Sequence, residues 1–156
     1  MDEFTAPSDE RPATLGPIDL DDIGPVQPHF IASIGMTVLM VAGLTSAVAA
    51  LQVYVAVTIN TWAWFVPGLY GVLGLVAIPV GGMVGRANYT AAVAGTGLAG
   101  AMTLVELFWV VYAVLHGFVA PLQALAFLVS GLALLIMPFT ILPNKNVEEA
   151  RAKLVA

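Results

Sequence analysis

The chain has 156 residues, 60% of them hydrophobic and 10% charged, with a formal net charge of −5 and a mean hydropathy of +0.94. Soluble domains carry about 25% charged residues, so a fully wetted surface is excluded, and five Lys and Arg residues are too few for the phosphate neutralisation that nucleic-acid binding needs. Cysteine is absent, which removes disulfides, thiolate metal sites and thiol catalysis.

Residues 1–28 hold five of the ten prolines (Pro7, Pro12, Pro17, Pro25, Pro28) and seven of the ten acids (Asp2, Glu3, Asp9, Glu10, Asp19, Asp21, Asp22). Proline removes backbone donors and like charges oppose collapse. This pattern predicts a disordered, acidic, proline-rich cytoplasmic tail. Its first residues lack the basic start and immediate apolar stretch of a signal peptide.

Four apolar stretches follow, at about 30–57, 62–84, 90–115 and 118–142. Each reaches the roughly 20 residues that cross the hydrocarbon core as a helix. The connections are short: Thr58 to Thr61, Gly85 to Tyr89, and His116-Gly117. Short connections make successive helices antiparallel neighbours. The expected fold is an all-α membrane protein, a four-transmembrane-helix antiparallel bundle over residues 29–143.

Orientation follows from positive charge. Arg11, Arg86, Lys145, Arg151 and Lys153 all fall on one side of a four-span chain, and that side is expected to be cytoplasmic. Both termini are then inside, and Trp62, Trp64 and Phe65 mark the outer interface. Residues 144–156 read as a short cytoplasmic tail that includes a short helix. Asn146 serves as its N-cap, Glu149 stands three residues on, and Glu149 faces Lys153 at i,i+4.

Gly95 to Gly100 spells the GxGxxG dinucleotide pattern. That chemistry needs a strand-to-helix turn before a pyrophosphate and an acid about 20 residues on, and neither is present. The physical reading is close helix packing. Ala91, Gly95 and Ala99 form a small-xxx-small row, as do Ala42, Ser46 and Ala50 in the first span and Gly81 with Gly85 in the second. Asn88-Tyr89-Thr90 matches a glycosylation sequon but is placed in a cytoplasmic loop. His29 and His116 fall at opposite ends, about 30 Å apart, so they cannot share an ion. Pro67, Pro79 and Pro138 permit kinks.

Glu106 is the charged residue set deepest in a span. An ionised side chain there costs several kcal/mol, so it is expected to face the bundle in neutral form. It lies about nine residues from the outer boundary, roughly 14 Å at 1.5 Å per residue. Ser46, Tyr70 and Ser130 fall at comparable depth on the other helices, and Thr103 is one turn away. These five residues form the candidate intramembrane polar or proton site: either a working proton or cation site, or a neutral acid tying helices together.

No catalytic, metal or cofactor-binding residues are assigned and no cofactor is expected, since no His, Cys or carboxylate cluster exists to build an active site. The favoured expectation is a non-enzymatic accessory or scaffold subunit of a bacterial-type inner-membrane assembly. Its partners would be the lipid bilayer and other membrane subunits or copies of itself. The alternative is a small proton- or cation-coupled transporter that works as an oligomer through Glu106.

Overall fold

A computed structural model describes residues 30–56, 65–117 and 121–155. The acidic tail, His29, the first connection and the two tryptophans beside it, Trp62 and Trp64, lie outside the described residues, as do 118–120. The described chain is helical in five elements: α1 (Phe30–Ala56), α2 (Phe65–Gly85), α3 (Tyr89–Leu115), α4 (Pro121–Ile136) and α5 (Pro138–Val155).

Within α1, α2 and α3, the segments Phe30–Val53, Gly68–Gly85 and Tyr89–Leu115 are long and apolar enough to cross a membrane. The 27 residues of α3 extend about 40 Å, more than the roughly 30 Å hydrocarbon core. By contrast, the 16 residues of α4 reach only about 24 Å. A fourth crossing needs the apolar first turns of α5, and α4 and α5 together qualify as a span bent by 44°. The chain is a multi-pass helical membrane protein with three spans, or four when the bent pair is one crossing.

That bend corrects the expected end of the fourth span. The span was expected to end near 142, but the helix bends at Met137, beside the Pro138 that was expected to permit a kink, and then runs through Pro143 to Val155. Pro138 has no N–H to donate and is suited to the first helical position. The Met137 carbonyl there accepts from both Thr140 N at 3.0 Å and Thr140 Oγ1 at 2.7 Å. This tight turn spends the bonds that would have continued α4. Asn146 is consequently inside α5 and exposed, and Glu149 pairs with Lys145 at 3.7 Å.

The helices are arranged in a ring. α1 lies against α2 and α4, α3 lies against the same two, and α1 and α3 barely meet across the diagonal. A short turn links α2 to α3, closed by Arg86 N to Met83 O at 3.1 Å and Asn88 N to Met83 O at 3.3 Å. Ala87 sits in it at φ 57°, a conformation that costs a residue with a side chain more than it costs glycine. Asn88 then caps α3 by accepting from Ala91 N at 2.8 Å, which satisfies one of the helix's free donors.

Small residues let the helices approach. Gly43 of α1 and Gly74 of α2 meet backbone to backbone, each lying against the other's carbonyl. The rows read from the sequence are also buried: Ala91, Gly95 and Ala99 on α3, Ala42, Ser46 and Ala50 on α1, and Gly81 with Gly85 on α2. Gly95 faces the ends of Met137 and Leu39, while Gly81 and Gly85 face Met40 and Met36. Two apolar clusters result. The larger contains Leu39, Val84, Met102 and Met137, and the smaller contains Ala49, Ala50, Tyr70 and Ala126.

Candidate functional site

The structure brings Ser46, Tyr70, Glu106 and Ser130 together inside one bundle. Each is at most 1% exposed. They come from α1, α2, α3 and α4 in turn, which depth matching along the sequence had suggested. The Ser46 hydroxyl donates to Glu106 Oε1, a bond that ties α1 to α3 across the ring's diagonal. Ser130 adjoins the same carboxyl without closing a bond of good geometry.

Thr103 does not join them. Its hydroxyl donates to its own helix at Ala99 O, 2.8 Å away, and the residue is only half-buried. A threonine can always satisfy itself one turn back in this way, so shared periodicity with Glu106 did not ensure a shared site.

The layer also contains a residue that sequence reasoning missed. Gln123 is 4% exposed and adjoins Tyr70. Its amide nitrogen makes long bonds to Ala49 O at 3.4 Å and Gln52 Oε1 at 3.5 Å. The signal was available, since Gln123 stands seven residues before Ser130 and two helical turns return to the same face. Gln52 is exposed. Polar side chains therefore run in file from Glu106 and Ser130, past Tyr70 and Gln123, to an exposed amide at the C-terminal end of α1.

Four atoms in this file close no hydrogen bond of good geometry among the described residues: Glu106 Oε2, Tyr70 OH, Ser130 Oγ and Gln123 Oε1. A buried polar atom left unpaired costs roughly 1–3 kcal/mol. Oxygen atoms dominate the layer, with one carboxyl, three hydroxyls and an amide. Such a set can hold a proton or a hard cation. Among the described residues no three His, Cys, Asp or Glu residues gather to hold a metal ion. His116 is exposed at the end of α3 and stacks on Tyr112 with ring centroids 4.0 Å apart.

A second polar cluster braces the opposite end. Asn144 of α5 is fully buried, and its amide donates to Val84 O and Asn88 O, both at 3.3 Å. Glu148 Oε2 accepts from Tyr89 N at 3.1 Å, placing a carboxylate at the N-terminus of α3, where the helix dipole favours it. Beside this brace is an open pocket lined by Met83, Arg86, Ala87, Asn88, Glu148 and Arg151. Neither contact was legible from the sequence, because the chain after Pro143 read as a tail. The chain matches no protein-family model, no curated protein and no solved structure.

Proposed function

We propose that the chain is a non-enzymatic accessory or scaffold subunit of a bacterial-type inner-membrane assembly, crossing four times with both termini in the cytoplasm. The observation that carries this reading is a tightly closed α1–α2 seam beneath an extensive apolar outside. Backbone meets backbone at Gly43 and Gly74, and the deepest acid is turned inward onto Ser46. What the chain offers to other proteins is its outside. Large apolar side chains such as Leu44, Leu75, Leu104, Leu128 and Leu135 are well exposed there, and α5 carries exposed Lys145, Glu149, Arg151 and Lys153. Apolar faces with small-residue seams suit lipid and neighbouring helices alike.

Gentle-detergent extraction of the native protein, followed by identification of what co-purifies, tests this. A stoichiometric complex with other membrane subunits is expected. A homodimer alone would favour the second reading, a small proton- or cation-coupled transporter. One observation supports that alternative: the unpartnered Glu106 Oε2 and the polar file leading outward from it. Under it, Glu106→Gln abolishes proton-coupled flux and leaves the fold intact. Under the scaffold reading the same change is silent for partner binding.

A further inference from the structure

The Ser46 hydroxyl satisfies one oxygen of Glu106, and a neutral acid must still place the O–H of the other. The remaining oxygens are then unexplained. Tyr70 OH, Ser130 Oγ, Gln123 Oε1 and the second carboxyl oxygen adjoin one another but close no bond of good geometry among the described residues, on side chains at most 4% exposed. Four such atoms without good bonds are costly, and an occupant that oxygen atoms can surround would satisfy them together.

We propose that the layer around Glu106 binds a single hard monovalent cation such as Na+, which replaces the carboxyl proton and enters past Gln52 and Gln123. Three features define the occupant. First, the donors are oxygens without thiolate or imidazole, the ligand type suited to hard cations and not to the softer transition metals. Second, Glu106 is the one carboxylate in the layer. A monovalent ion cancels its charge, whereas a divalent ion leaves an uncompensated charge in a medium where charge burial is severely penalised. Third, the file of Gln123 and Gln52 links the layer to an exposed position, giving a desolvating ion amide oxygens along its way.

The exchange balances: the protonated acid plus Na+ gives the carboxylate–Na+ pair plus a released proton. Tyr70 of α2 is the other titratable group facing Glu106, while α1 and α4 contribute the Ser46 and Ser130 hydroxyls and the Gln123 amide. The arginines and lysines of the described residues are in the α2–α3 turn and on α5. This proposal deepens the ion-coupled reading by naming the ion. It is tested by binding instead of flux, so a chain that binds Na+ without moving it fails the carrier reading and keeps this one.

The experiment uses the full chain in mild detergent at mildly alkaline pH and low buffer strength, titrated with NaCl against equal choline chloride. A saturable rise in the melting midpoint specific to Na+ is expected, as for any ligand that binds only the folded state. Release of about one proton per chain should accompany it. Ser130→Ala and Tyr70→Phe each remove a ligand oxygen or loosen the layer, and should weaken Na+ binding by ~10-fold. Thr103→Ala lies outside the layer and should respond as the parent does. Glu106→Gln should fold and show neither response. Identical melting in Na+ and choline with no proton release would overturn the proposal and leave water as the occupant. A Na+ response that survives in Glu106→Gln would overturn it too.

Discussion

Replacing Gly74 by alanine tests the packing that holds the polar layer in place. A methyl group there would lie 2.6 Å from the Gly43 carbonyl oxygen, 3.0 Å from the Ala47 nitrogen and 3.0 Å from Ser46 Cβ. Two of these neighbours are backbone atoms of α1 and cannot rotate away. Restoring ordinary contact requires α1 and α2 to part by about 0.8 Å, and a gap of that order forfeits a quarter to a half of the dispersion energy of each facing atom pair. Overpacking of this kind costs about 1–3 kcal/mol, and the rigidity of the obstruction places Gly74→Ala near 2 kcal/mol, roughly the middle of that range. Because Ser46 is among the displaced residues, its bond to Glu106 should loosen as well. Thermal or denaturant unfolding of the purified protein in mild detergent measures the loss. Gly97→Ala is the control: among the described residues no neighbouring atom lies within 4 Å of the added methyl, and alanine gains up to about 1 kcal/mol of helix propensity over glycine. Equal stability of the Gly74 and Gly97 variants would refute the close α1–α2 seam.

The brace at the other end gives a separate expectation. Asn144→Leu removes both bonds to the α2–α3 turn and should cost about 1–2 kcal/mol, with faster hydrogen exchange confined to the turn and the start of α3. Unchanged exchange would mean that α5 does not support that turn. Orientation is tested by single cysteines, which report cleanly because the chain has none of its own. A cysteine at Asn60 should react with an impermeant reagent from outside the cell and one at Ala87 should not, and the reverse pattern would contradict the charge-based orientation.

Apolar length and depth were the legible quantities. Hydropathy located the helices because a span must be both long and dry, and counting residues inward placed Ser46, Tyr70, Glu106 and Ser130 at one level because helical rise is constant. Three features were hidden for physical reasons. The helix does not end near 142, because Pro143 removes only one donor and its neighbours in α5 complete the helix around it, whereas the bend beside Pro138 fell where a kink was expected. Thr103 shares a face with Glu106 by periodicity, yet it bonded to its own backbone. Gly43 was passed over in favour of the Ala42, Ser46 and Ala50 row, although the backbone contact with Gly74 falls on Gly43. Which of several small residues forms a seam depends on the rotation of the partner helix, and a single sequence does not encode that directly.

The packing of the spans and the candidate site rest on one shared claim, that Glu106 faces inward and is bonded across the ring to Ser46. A double-mutant cycle on unfolding free energy in mild detergent measures this most directly, using Ser46→Ala, Glu106→Leu and the pair. Residues in contact within one hydrogen-bond network show coupling of roughly 0.5–3 kcal/mol, whereas independent sites add to within about 0.3–0.5 kcal/mol. The bond predicts coupling of about 1 kcal/mol or more. Additive effects of the two substitutions would place Glu106 elsewhere and contradict the account.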